Sequence, residues 1–98
     1  MQIVLLNEAQ DRFEAEDRWW REHRDARELF LTEFQEALRR ITSTPGIGQH
    51  YRRARGKLIR RVLMKKVRCH VYYFHDTEHD VVEIHSIWSA RRRRGPNL

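Results

Sequence analysis

Hydrophobic positions along this chain follow two different spacings, one in each half. Residues 2–6 (Gln2-Ile3-Val4-Leu5-Leu6) are a short apolar run of strand length. A helical period follows. Ala9, Phe13 and Trp20 share one side of a helix predicted over residues 8–23, and Ala15 and Trp19 widen that stripe. Asn7 stands where a side-chain oxygen would cap the free N–H groups, and Gln10 would complete a capping box. Glu8 and Asp11 suit the positive end of the helix dipole. Asp25 and Glu28 repeat the box ahead of a second stripe of Ala26, Leu29, Phe30, Phe34, Ala37, Leu38 and Ile41. Ser43-Thr44-Pro45-Gly46 stops that helix. The two helices lie so close in sequence that they must fold back on each other as a hairpin.

After Pro45 the period changes to two. Residues 47–57 are polar and basic, with Gly48 and Gly56, and predict a loop. Three strands are predicted next, over residues 58–64, 67–74 and 81–88. Lys65-Lys66 and Thr77-Glu78-His79 supply the turns, so these strands form an antiparallel meander. In the middle strand Val67, Cys69, Val71 and Tyr73 point to one face, and Arg68, His70, Tyr72 and Phe74 to the other. The first set suits packing under helices. The second puts basic and aromatic groups on an open face. Ile84 and Ile87 are out of phase for a plain strand, which predicts a bulge near Ser86. The order β-α-α-β-β-β defines an α+β fold with a helix hairpin packed on one face of an antiparallel sheet.

Length and composition narrow the picture. Ninety-eight residues leave room for one domain over 1–98, with residues 91–98 as an irregular basic tail. The net charge of +6 is divided unevenly. Residues 1–43 hold seven Arg against ten acidic groups, whereas residues 44–98 hold thirteen Lys or Arg against four. An excess of this kind on one part of a surface points to an anionic partner. The single cysteine, Cys69, excludes an internal disulfide framework and a cysteine-rich zinc site. Apolar runs are too short for a membrane helix, and the N-terminus lacks the pattern of a signal peptide, which predicts a cytoplasmic protein. His70 and His75 face opposite ways on one strand and His85 lies on the next, so neither a metal nor another cofactor is expected.

The basic residues carry the chemistry. Arg60, Arg61, Lys65, Lys66 and Arg68 flank the first hairpin of the meander, and Arg91, Arg92, Arg93 and Arg94 follow the last strand. Beside tyrosines on an open sheet face, such groups suit a phosphate backbone. The hairpin cations equally serve to keep strand edges soluble. Four consecutive arginines predict an interaction segment. Trp19 and Trp20, about 100° apart on a helix, cannot both enter the core. One is left at the hairpin edge, either covering its own helix or anchoring a partner.

The ordered set Phe30-x-x-x-Phe34-x-x-x-Leu38, Pro45-Gly46-Ile47-Gly48, Ile59-Arg60-Arg61-Val62-Leu63, His70-Val71-Tyr72-Tyr73-Phe74, Val82-Glu83-Ile84 and Ile87-Trp88-Ser89-Ala90-Arg91 resembles the RelE/ParE superfamily of bacterial type II toxin–antitoxin systems, in its ParE-like branch. The resemblance implies a growth-blocking toxin that a cognate antitoxin neutralises in a hetero-oligomer. ParE-like members inhibit DNA gyrase, and RelE-like members cleave mRNA on the ribosome. Cleavage needs a base for the 2′-hydroxyl, an acid for the leaving oxygen and cations for the charged transition state. RelE-like nucleases often place Tyr or His near the C-terminus for part of this. Here nothing after Trp88 is His, Tyr, Asp or Glu, and Ser89 stands where many relatives have His. The segment therefore points to the ParE-like, non-enzymatic branch, with Arg60, Arg61, Lys65, Arg68, Trp88 and residues 91–94 meeting the target and Trp19 and Trp20 meeting the antitoxin. A metal-independent endoribonuclease is the alternative. It would have to recruit Arg61, Lys65, His70, Tyr72, His85 and Arg91.

Overall fold

In a computed structural model that describes residues 1–98, the first apolar run forms β1 (Gln2–Leu5) and passes directly into α1 (Asn7–His23). The helix starts one residue before the predicted position, and the predicted capping box is absent. Leu6 occupies the N-cap, with no side-chain cap. Its N–H still pairs with the Ile84 carbonyl at 3.0 Å, while its own carbonyl accepts from the Gln10 N–H at 2.9 Å. Sheet pairing thus reaches the residue before the helix and fixes its start. The Gln10 amide instead donates to Glu14 at 2.9 Å.

The second capping box is also replaced. Residues 25–28 form a tight turn in which the Arg27 N–H reaches the Asp25 carbonyl and the Leu29 N–H that of Ala26. Glu28 is the N-cap of α2 (Leu29–Ser43), again without a side-chain cap. Ala26 stays exposed outside the helix, whereas Phe30, Phe34, Ala37 and Ile41 are buried as their spacing requires. Phe13 of α1 meets Phe30 and Phe34 with ring centroids 5.6 and 4.9 Å apart, and these three rings form the seam of the hairpin.

A one-turn 3-10 helix (Pro45–Ile47) leads out of α2. Residues 47–57 are not the predicted loop. They contain β2 (Gln49–Ala54), paired antiparallel with β3 (Lys57–Met64). Two residues, Arg55 and Gly56, join these strands, both at positive φ (52° and 79°). That is the backbone of a tight hairpin with the right twist, normally advertised by Asn-Gly or Asp-Gly. β4 (Cys69–Asp76) and β5 (Val81–Ser89) complete the meander. The sheet has five strands in the order β1-β5-β4-β3-β2. It is mixed rather than purely antiparallel, because β1 runs parallel to β5. The expected bulge is present: Tyr72 pairs with Ser86 and Tyr73 with Ile84, leaving His85 as the extra residue. It rephases β5 so that Ile84 and Ile87 both enter the core.

The helix hairpin covers one face of the sheet. Its core takes Val67, Cys69, Val71 and Tyr73 from the predicted inward set, together with Val62, Met64, Val82, Ile84 and Ile87. On the other face Ile59 and Tyr72 are buried as well, outside that core. Tyr51 packs on Tyr72 there, and the tail in turn holds Tyr51. Residues 91–98 contain no helix or strand, yet Pro96 is buried. Tyr51 donates from its hydroxyl to the Pro96 carbonyl at 3.3 Å, and the Trp88 indole N–H donates to the Arg94 carbonyl at 2.7 Å. Residues 94–98 therefore form a strap across the face that the strand alternation leaves open.

Candidate functional site

β3 and β4 bring three of the predicted residues together. Arg61 and Tyr72 are directly paired in the ladder, and Arg61 Nη1 lies 3.4 Å from the Tyr72 hydroxyl. The His70 ring sits 5.9 Å from that of Tyr72. Tyr51, from the unforeseen strand β2, packs edge-on against Tyr72 at 4.7 Å and lies 5.6 Å from the Arg61 guanidinium. Lys65 shares with Arg61, His70 and Arg40 a shallow hollow of about 280 Å³ at the sheet edge. Burial lowers the His70 pKa, and the nearby Arg61 charge lowers it further. The imidazole is therefore held neutral, the form that accepts a proton.

The other members of the predicted nuclease set lie elsewhere. His85 is bound at 3.1 Å to Glu83, which also takes the Lys57 ammonium at 2.9 Å. The Lys57 hydrogen bond is the main reason the Glu83 carboxyl sits below its ordinary value, with a smaller contribution from His85. Arg60 donates to the carbonyls of Gly46 and Gly48 at 3.2 and 3.1 Å, so it braces the segment before β2. Arg91 is on the helix side of the sheet.

There it helps to form a second region, a cleft of about 460 Å³ between α1, the turn from β3 to β4 and the start of the tail. Trp19, Trp20, Ala15, Val67 and Cys69 provide its apolar lining; Arg12, Arg24, Lys66, Arg68, Arg91 and Arg92 provide the charge, against the single acid Glu16. None of these six cations makes an ion pair. The two tryptophans divide as their angular separation requires. Trp20 packs against the core, and Trp19 is 41% exposed. Trp88 joins the cleft to the tail. The guanidiniums of Arg12 and Arg92 lie 4.6 and 4.3 Å from its ring centroid. Arg93 and Arg94 are exposed beyond it. At the cleft floor, burial and then Glu16 push the Cys69 thiol up to about 12, against the opposing pull of Arg91 and Arg92. Cys69 is a buried apolar residue here, not a nucleophile.

No protein-family model matches the chain, and no curated protein matches it. A solved structure does. The crystal structure of the isolated E. coli RelE toxin, in its P21 form, aligns with 95% of this chain and 87% of its own at a TM-score of 0.60. The fold is that of RelE. Sequence identity is 17%, so the likeness is one of architecture: two helices packed on a five-stranded sheet. Tyr51, Arg12 and Arg24 line these two regions, and sequence reasoning passed them over. Tyr51 lay hidden in a polar run. The arginines had a usable signal, since Arg12 precedes Trp19 by seven residues and Arg24 follows Trp20 by four, both helix-neighbour spacings. No helix of the chain is long and apolar enough to cross a membrane.

Proposed function

We propose that this chain is the toxin of a type II toxin–antitoxin pair, acting in the cytoplasm and held inactive in a hetero-oligomer with its antitoxin. The observation that carries this reading is the cleft beside α1: a RelE fold with six unpaired cations around an apolar lining, anchored by an exposed Trp19. An acidic antitoxin segment with apolar side chains complements it in charge and in surface. Ala at position 19 or 20 should weaken antitoxin binding, most strongly at the exposed Trp19, where an anchor residue is worth about 2 kcal/mol or more.

At the level of target, we favour inhibition of DNA gyrase through residues 88–94. That segment offers Trp88 and four exposed arginines and no group that takes up or releases a proton near neutral pH. The second reading, ribosome-dependent mRNA cleavage, is supported by the likeness to the RelE structure and by a neutral His70 that stands beside Arg61 and Tyr72, a proton acceptor next to a cation. Induced expression in a bacterial host tests the general reading through growth arrest, and an unaffected culture would reject it. Purified protein then separates the targets. Loss of gyrase supercoiling activity supports the first, and cut mRNA on translating ribosomes supports the second. Replacing Arg91, Arg92, Arg93 and Arg94 with Ala should abolish arrest in the gyrase case, whereas His70→Ala should do so in the nuclease case.

A further inference from the structure

Between Gln49 and Lys66 the chain carries eight Lys or Arg and no acid. The fold gives some of them partners. Lys57 pairs with Glu83, Arg60 braces the Gly46 and Gly48 carbonyls, and Arg61 turns to Tyr72. Arg52 and Arg53 on β2, with Arg55 in the hairpin turn, are exposed and have no ion pair. Arg93 and Arg94 are exposed and unpaired in the same way. Tyr51 joins the two groups. Its hydroxyl accepts from Arg52 Nη2 at 3.2 Å and donates to the Pro96 carbonyl at 3.3 Å. The Trp88 indole N–H holds the Arg94 carbonyl at 2.7 Å, so the tail is tied through its backbone and the Arg93 and Arg94 guanidiniums are left over. The geometry points to a cationic strip, Arg52, Arg53 and Arg55 continued by Arg93 and Arg94, that binds the phosphate backbone of a double-stranded nucleic acid without regard to sequence.

Other occupants fit less well. Charges on an edge strand also serve to keep other strands away. β2 already has a second device for that. Its pairing with β3 shifts between His50 and Arg52 and leaves Tyr51 as an extra residue, a bulge on the outermost strand. The bulge breaks the regular edge that an added strand would need, and a second copy of the chain would bring the same charges. An acidic peptide looks for an apolar anchor, and no exposed large apolar side chain belongs to residues 49–55 or 93–98. A single strand binds by stacking its bases on aromatic rings. The rings beside the strip already carry guanidiniums: Arg52 and Arg61 lie 4.8 and 5.6 Å from the Tyr51 centroid, and Arg12 and Arg92 lie 4.6 and 4.3 Å from that of Trp88. Unstacked bases would have to compete with these cations. A duplex keeps its bases stacked and asks only for spaced cations along its backbone. Guanidiniums suit phosphate oxygens, and six residues of β2 span about 20 Å at roughly 3.3 Å each. Arg52, Arg53, Arg55, Arg93 and Arg94 all lie outside the lining of the cleft beside α1.

The strip does not depend on the toxin reading, because it is tested on the purified chain by binding alone. The probe is a short fluorescent duplex DNA of random sequence, followed by anisotropy as salt is raised. With five phosphate contacts, binding should weaken a few hundredfold between about 50 and 200 mM salt. A triple variant, Arg52→Gln, Arg53→Gln and Arg55→Asn, should bind more weakly at low salt and lose only about tenfold over the same range. Asn suits the positive φ of residue 55, and all three positions are exposed, so the thermal melt should match the parent. A control variant removes as much charge from the helices, through Arg18→Gln, Arg27→Gln and Arg39→Gln, and should keep the parent's salt dependence. Duplex RNA in place of duplex DNA shows which helix supplies the phosphates, and saturable binding of either supports the strip. Three results would overturn the inference. The triple variant could bind as the parent does, or the control could lose as much as the triple variant. Oligothymidylate or poly-glutamate could bind as tightly as the duplexes, which would assign the strip to single strands or to acidic protein.

Discussion

Replacing Tyr73 with Phe removes one oxygen and tests how β2 is held. The Tyr73 hydroxyl donates to the Pro45 carbonyl at 2.6 Å and accepts from the Gly48 N–H at 3.0 Å. Burial raises the pKa of this phenol, so the hydroxyl stays protonated and able to donate near neutral pH. Gly48 is buried, and a Cβ there would come within 2.6 Å of the same oxygen, so the backbone has closed onto the phenol. In the Phe variant the Gly48 N–H is left without a partner, a loss of about 1–3 kcal/mol, and the bond to Pro45 adds ~1 kcal/mol. Pro45 is only half-buried, so water can recover part of the second amount. The expected loss is about 2–3 kcal/mol. At roughly 4–8 °C per kcal/mol for a domain of this size, the melting temperature should fall by roughly 10–20 °C. Urea titration and thermal melts measure it. Hydrogen exchange should show the extra opening concentrated at the start of β2, an edge strand with β3 as its one neighbour. A midpoint within about 2 °C of the parent, or exchange spread evenly over the sheet, would refute the reasoning.

Further outcomes follow from the core and from the titrating groups. Phe34→Ala should cost about 3–5 kcal/mol, because it empties the buried seam that Phe13 and Phe30 share, and denaturant titration measures this. Cys69, with its thiol pushed up to about 12, should react with iodoacetamide at pH 7 about a thousandfold more slowly than an ordinary thiol near ~8.5. Addition of urea should restore the ordinary rate. Burial and Arg61 hold His70 below the usual imidazole value, so the unfolded chain takes up a proton that the folded chain resists. Its contribution to stability is therefore complete above about pH 6.5 and is lost as pH falls from there toward the lower folded value. His70→Gln should flatten that part of the urea-stability profile, and an unchanged slope would count against the assignment. Glu83 behaves as a depressed carboxylate, stabilising above about pH 4.3 and ceasing to do so as acid protonates it; Lys57→Met should move that loss to higher pH.

The helices and the last three strands were legible because their side chains obey one environment each. Phe30, Phe34, Ala37 and Ile41 repeat at helical spacing because a single face of α2 is buried. The bulge at His85 was readable because two isoleucines at a spacing of three cannot both reach the core from an undistorted strand. β2 was not legible, and the reason is physical. It is an edge strand whose Gln49, His50, Arg52 and Arg53 are all exposed, so burial imposes no alternation, and its hairpin is made by an arginine at positive φ rather than by Asn or Asp. The helix caps were misread because strand pairing at Leu6 and a backbone turn at residues 25–28 set the boundaries, and neither has a side-chain signature. Within the site, the charge count located the cations but could not separate their roles. Arg60 braces a loop, Arg61 faces Tyr72, and Arg91 and Arg92 turn toward the helix side.

The pairing of β1 with β5 has a bearing on how the chain is made. Every other strand neighbour is also a neighbour in sequence, so β2 to β5 can assemble as a local meander. β1 is different. It slots in beside Val81–Ile84, across almost the whole chain, and α1 hangs from it through Leu6. A ribosome releases this strand first and its only partner last. Until β5 emerges, Ile3, Val4 and Leu5 have no strand to join, and α1 lacks the strand it mainly packs on, although α2 can already meet β3. Closing so distant a contact is the slow kind of folding step. The predicted order is thus the meander first and the docking of the N-terminal strand last, with the interval between them the period in which a waiting chaperone or partner has most to bind.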